Sequence, residues 1–138
     1  MIPADATLDE IREFFENDRF ASGTCGFRIV EAAPHHAVCE ADVSEALLNE
    51  KGGVMGGAIF TLADFAMAVA SNVGDDPTVS VSCSIDFMSP CRGERLISTA
   101  RTTKDGRTLG FYEADVTDEL GTPVARVTGT SMHLHPGK

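Results

Sequence analysis

The longest apolar stretch in the chain runs from Ala58 to Ala70, where Thr61 and Asp64 are the only polar side chains. It opens on Gly56-Gly57 and closes at Asn72 before the turn signal Gly74-Asp75-Asp76-Pro77, which predicts a nearly all-apolar helix over roughly 56–72. Towards the N-terminus, Leu8, Ile11, Phe14 and Phe15 recur at helical spacing behind a Thr7/Glu10 capping box, predicting a short amphipathic helix over about 8–17. Elsewhere the period is two. Residues 26–33 and 37–43 read as a hairpin around Pro34-His35-His36. Val79, Val81, Cys83, Ile85 and Phe87 alternate with Ser80, Ser82, Ser84, Asp86 and Met88, which predicts a strand with one apolar face. Three further strands follow over about 95–103, 108–117 and 123–134, separated by Lys104-Asp105-Gly106-Arg107 and by Asp118-Glu119-Leu120-Gly121. Such tight connections join antiparallel neighbours. The order is helix, two strands, apolar helix, four strands: an α+β chain in which a six-stranded, mainly antiparallel sheet curls around a long central helix.

Composition narrows the class. The 138 residues fit one domain over 1–138 with a core of its own. Cys25, Cys39, Cys83 and Cys91 have neither C-x-x-C nor zinc-like spacing, and the N-terminus lacks the basic and apolar regions of a signal peptide. The thiols are therefore expected to be reduced core residues of a cytoplasmic protein. The apolar run, broken by Asp64, is shorter than a bilayer span, so no membrane partner is expected. The net charge of −10 is uneven: residues 1–91 hold 4 Lys/Arg against 15 Asp/Glu, and residues 92–138 hold 7 against 6. That balance argues against nucleic acid, whose binding rests on a basic surface. A small polyanion remains open, because Arg92, Arg95, Arg101, Lys104 and Arg107 fall within sixteen residues of one another. His133 and His135 alternate at a strand end near the C-terminus and read as solvent-exposed, as do His35-His36, and no metal site is expected. No G-x-S-x-G elbow supports a serine hydrolase, and Gly52-Gly53 is too short for a phosphate loop.

Asp64 is the residue with chemical content. At 3.6 residues per turn its helical neighbours are Phe60, Thr61, Met67 and Ala68, and a carboxylate on so apolar a stripe must find partners or bear a desolvation cost. The same helix starts at Gly56-Gly57, whose N–H groups lack intrahelical acceptors and carry the positive end of the dipole, a fit for a developing oxyanion. The two features lie eight residues apart, about 12 Å along the axis at ~1.5 Å per residue, too far to act on one carbonyl carbon. Two antiparallel copies of the helix would bring the glycines of one beside the Asp64 of the other, and a symmetric dimer would hold two such sites.

These residues resemble a known family, the hotdog-fold acyl-CoA thioesterases of the phenylacetic-acid-degradation type. The resemblance rests on Asn49, on Met55-Gly56-Gly57 at the head of the helix, on Leu62-Ala63-Asp64 two turns in, and on Phe87-Met88-Ser89-Pro90, Gly106-Arg107 and Val116-Thr117-Asp118. It implies hydrolysis of an acyl-CoA with Asp64 as base or nucleophile, a Gly56 N–H polarising the carbonyl from the other subunit, and Asn49 positioning water or carboxylate. It further implies that Gly57, Ser80 and Met55 border the substrate in a homodimer or homotetramer. A thioester has a good leaving group, so held water, a carboxylate and an oxyanion donor suffice, and no cofactor is expected. Arg92 and Arg107, at strand ends, are candidates for the CoA phosphates. Met55 stands where the family has His, and a thioether cannot donate a hydrogen bond. Two further readings remain: a non-catalytic acyl-CoA-binding hotdog protein and a hotdog hydratase, the latter disfavoured because the helix offers no His to pair with Asp64.

Overall fold

In the computed structural model, which describes residues 1–135, the apolar run forms helix α2 over Gly56–Asn72. It is preceded by α1 (Leu8–Phe15), β1 (Arg28–Ala33) and β2 (His36–Asp42). It is followed by β3 (Thr78–Phe87), β4 (Arg95–Asp105), β5 (Leu109–Asp118) and β6 (Pro123–His133). All six strands join one antiparallel sheet in the order β1-β2-β4-β5-β6-β3. The expected elements are all present with ends shifted by one or two residues, except that α1 stops at Phe15 and a π-helical turn over Arg19–Thr24 follows it. The Asp18 carboxylate caps that turn by accepting the Ala21 N–H at 3.2 Å, a side-chain contact that hydrophobic periodicity does not register.

Helix α2 lies across β2, β4 and β5 and buries Leu62, Ala63, Phe65, Ala66, Val69 and Ala70 against Cys39, Leu96, Ala100, Ala114 and Val116. The alanines let the helix sit close to the sheet, and the strands supply the bulk. The capping box of α1 is formed as expected, with the Glu10 N–H donating to Thr7 Oγ1 at 3.2 Å and the Thr7 N–H to Glu10 Oε2 at 2.8 Å. Ile11 and Phe15 turn inward, and the Phe15 ring meets Phe65 edge to face at 5.7 Å, which fixes α1 over one side of α2. Phe14, counted in the same stripe, is exposed.

At β3 the apolar face is left uncovered, and Cys83 departs from its expected place in the core. The strand's alternation is real, yet Val79, Val81 and Phe87 are all exposed, Val81 at 60%, and only Ile85 is half-buried. The physical reason is position: β3 is an outer strand bonded only to β6, so within one chain its apolar side has little to pack against. For the same reason Cys83 is exposed rather than core, while Cys39 is fully buried and all four thiols are free. A further correction concerns His133, which is buried at 6% rather than solvated. Among the described residues no helix is long and apolar enough to cross a membrane.

Candidate active site

Helix α2 starts without a side-chain cap. Met55 holds the N-cap position in extended backbone, and its carbonyl accepts from the Ala58 and Ile59 N–H groups at 3.0 and 3.2 Å. The N–H groups of Gly56 and Gly57 have no acceptor among the described residues, so two donors and the positive end of the dipole are available together. Of the two glycines, Gly56 is the closely packed one. A Cβ there would meet the Phe87 ring at 3.0 and 3.2 Å, whereas one on Gly57 would meet nothing within 4 Å. The Met55 side chain is 57% exposed and does not line the neighbouring cleft, so it fills no acyl pocket within the chain.

That cleft, of about 510 Å³, is bordered by Gly56, Asn49, Val54, Ile59, Phe87, Met88 and Cys91. Two devices shape it. Asn49 Oδ1 accepts the N–H groups of Lys51 and Gly53 at 3.0 and 3.1 Å, so the carbonyl end of the carboxamide organises its own loop and only the NH₂ end is left for a ligand. Across the cleft, Asp118 Oδ2 accepts from the Arg92 and Gly93 N–H groups at 2.9 and 3.0 Å, and Oδ1 from Leu120 and Thr122 at 3.0 and 2.9 Å. Burial opposes charge on Asp118, but the hydrogen bonds from Arg92, Thr122 and Gly93 hold its carboxyl well below the usual carboxylate range. Asp118 thus pins the β3–β4 connection that walls the cleft. In the sequence it stands out only as part of a turn and of a family signature.

Asp64 is elsewhere. It does not border the cleft, and it lies half-buried on the stripe Gly57, Thr61, Asp64 and Ala68, none of which is fully buried. Burial raises its pKa, the nearby Ser80 hydroxyl lowers it, and the charge of Asp18 adds to the rise; the net shift is upward. Ser80 lies near it on the outer strand β3. Of the basic cluster, Arg95 is paired with Glu40, and Arg101 with Glu113 and Asp115. The side chains of Arg92, Lys104 and Arg107 make no ion pair among the described residues. Arg92 and Arg107 flank opposite ends of the 11-residue β4, roughly 33 Å apart at ~3.3 Å per residue. The expectation that both reach one rim is corrected accordingly: within a chain only Arg92 is beside the cleft.

Residues 51–125 match the thioesterase superfamily. The chain belongs to that superfamily. It is 32% identical over 121 residues to acyl-coenzyme A thioesterase PaaI of Escherichia coli, covering 87% of this chain and 86% of the relative. It is 38% identical over 94 residues to human acyl-coenzyme A thioesterase 13, covering 66% and 67%. A solved variant of phenylacetic acid degradation protein PaaI from Thermus thermophilus superimposes with a TM-score of 0.77 at 32% identity over 88% of this chain and 99% of that one. The antiparallel sheet laid around α2 is the hotdog fold. Gly56, at the start of α2, borders the cleft, and Asp64, the one carboxylate of that helix, does not.

Proposed function

We propose that this chain hydrolyses acyl-CoA thioesters at sites shared between two subunits. The observation that carries the reading is the separation of half-buried Asp64 from the free Gly56 N–H along one helix, about 12 Å at ~1.5 Å per residue, together with the uncovered surface that runs between them. The stripe Gly57, Thr61, Asp64 and Ala68 is not fully buried, and the adjacent β3 exposes Val79 and Val81 along ten residues of open edge. Long apolar edges of that kind call for a partner. A second copy related by a two-fold axis covers both, sets the helices antiparallel and brings Gly56 of one subunit to Asp64 of the other.

At such a site the thioester carbonyl oxygen accepts the Gly56 N–H of one subunit while Asp64 of the other faces the carbonyl carbon. As base, Asp64 takes a proton from water as the water oxygen bonds to carbon. The C–S bond then breaks, the CoA sulfur leaves as thiolate, and Asp64 returns the proton. As nucleophile, a carboxylate oxygen of Asp64 bonds to the carbon instead, CoA departs, and water cleaves the resulting anhydride. Ser80 holds the carboxylate in either case. The cleft beside Gly56, apolar through Ile59, Phe87 and Met88, suits an acyl chain or the pantetheine arm.

Release of free CoA from a panel of acyl-CoAs tests the reading. Wild type should turn over, and Asp64→Asn should lower kcat about a hundredfold or more while the oligomer stays intact, the scale of a lost general base. Unchanged kcat in Asp64→Asn contradicts the assignment. Single turnover in ¹⁸O-water identifies a nucleophilic route in which water attacks the Asp64 carbon of the anhydride, the one step that leaves label in Asp64.

A further inference from the structure

The far end of α2 carries a second cluster of ligating groups. The α2–β3 turn brings Asp75 against the end of β4 at Asp105 and the end of β6 at His133, and one ligating atom from each of the three lies within 4.8 Å of the others. His133 Nε2 is 2.8 Å from Asp105 Oδ1. Its Nδ1 is buried, has no hydrogen-bond partner among the described residues, and faces Asp75 Oδ2 at 4.0 Å. The adjacent His135 has both nitrogens engaged, with Asp76 Oδ2 at 2.9 Å and the Arg107 carbonyl at 3.1 Å, so it is not available as a ligand.

The chemistry of that gap is restrictive. A carboxylate can only accept, so Asp105 receives the Nε2–H and leaves the lone pair of a neutral ring on Nδ1. The lone pair then points at a second carboxylate, an arrangement that repels unless something positive sits between. If Nδ1 were protonated instead, 4.0 Å would exceed the ~2.7–3.2 Å of a hydrogen bond. A bridging water, at about 2.8 Å from each partner with a near-tetrahedral angle, wants roughly 4.6 Å between them. A transition-metal ion bound at ~2.0–2.1 Å to both spans about 3.4 Å at a tetrahedral angle and up to about 4.2 Å with the two ligands opposed, so a movement of about half an ångström by half-exposed Asp75 closes the pair on an ion. A carboxylate on the remote nitrogen of a metal-binding histidine is also the usual way that such a ring is oriented and made more basic.

We propose that His133 Nδ1 and Asp75 form a binding site for a divalent transition-metal ion of the zinc class, with Asp105 orienting the ring. The donor set of imidazole nitrogen and carboxylate oxygen suits Zn²⁺ or Co²⁺ better than Mg²⁺ or Ca²⁺, which take oxygen alone. The ion is a clasp, not a catalyst. It ties the turn before β3 to the ends of β4 and β6, at the opposite end of α2 from Gly56, and so fixes where the outer strand begins.

The test is Zn²⁺ titration of the full chain after dialysis against chelator, followed by calorimetry and by thermal denaturation with and without the ion. The expected result is one Zn²⁺ per chain and a higher Tm with Zn²⁺ present. Asp75→Ala should weaken binding about tenfold or more, a ligand-loss effect, and abolish the Tm gain while leaving thioester turnover in chelator unchanged. His133→Gln should do the same to binding; because His133 is buried and the variant could unfold, half-exposed Asp75 keeps the test decisive. Absence of stoichiometric binding overturns the proposal, as does equal Zn²⁺ affinity in wild type and Asp75→Ala. So does ¹⁵N NMR showing both His133 nitrogens protonated with no Zn²⁺ uptake, which would put a proton where the metal is placed.

Discussion

Alanine at Gly56 and at Gly57 makes a matched pair in which helix propensity is the same and packing is not. Replacing glycine by alanine inside a helix is worth about 0.5–1 kcal/mol, so at Gly57, where a Cβ meets nothing within 4 Å, Tm should rise by roughly 2–4 °C per kcal/mol. At Gly56 the same Cβ lies 3.0 Å from Phe87 Cζ, well inside the ~3.5–4.0 Å of an ordinary carbon contact. The ring must give by a few tenths of an ångström, and an off-rotamer side chain costs about 0.5–1.5 kcal/mol. The two terms cancel, so Gly56→Ala should leave Tm nearly unchanged while Gly57→Ala raises it. The displaced ring and helix start should also move the N–H donor and lower kcat about tenfold, less than the ~100-fold or greater loss on deleting such a donor. Phe87→Leu in the Gly56→Ala background should restore part of both the missing stability and the lost rate. Differential scanning calorimetry and CoA-release kinetics on the four proteins read these terms. If Gly56→Ala gains as much stability as Gly57→Ala and keeps full kcat, the close approach of Phe87 has no consequence and the reasoning fails.

Three further outcomes are expected. Arg92→Ala should raise KM for acyl-CoA with little change in kcat, the mark of lost uniform binding, whereas Arg107→Ala, at the other end of β4, should leave KM unchanged; added salt should shrink the Arg92 effect, and a truncated thioester without the nucleotide should be indifferent to it. Because the Asp64 pKa is raised, the folded state bears the cost of its charge above the ordinary value of 3.8, so Asp64→Asn should keep or raise Tm at neutral pH, and a clear fall in calorimetry would contradict the burial account. The Asp118 shift has the opposite sign: its pKa is depressed, so its stabilisation is present above the ordinary 3.8 and disappears as pH falls through that value towards the lower folded one. Wild type should lose Tm in that acid window, and Asp118→Asn should start lower at neutral pH and show a flatter acid limb.

The fold was legible wherever one surface of an element is buried by the chain's own residues. The periodicity of α1, the apolar run of α2 and the turn residues around Gly106 and Gly121 located most of the architecture, since local pattern and tertiary burial agree there. Legibility ended where the chain's own residues leave an apolar face uncovered. The alternation of β3 is as clean as any in the chain, and the apolar residues Val79 and Val81 are nevertheless exposed, because the pattern records that a face is apolar and not what covers it. At the candidate site Asp64 and Gly56 stood out by chemistry, and Ser80 only through the family resemblance. Asp118 and Phe87 did not stand out by chemistry, because their roles come from backbone donors 25 and 26 residues away for the one, Gly93 and Arg92, and from a glycine on another element for the other. His133 was misread for a similar reason: closeness to the chain end says nothing about the two carboxylates that loops bring against it.

The central claim is that one carbonyl is served by Asp64 of one subunit and Gly56 of another, and subunit mixing tests it most directly. Asp64→Asn subunits and Gly56→Pro subunits, the latter lacking the N–H in question, should each be inactive alone. A mixed dimer holds one site built from two undamaged groups. With random exchange half the dimers are mixed, so activity should return to about a quarter of the wild-type value. No recovery in a sample where mass spectrometry shows the mixed dimer would contradict the shared site.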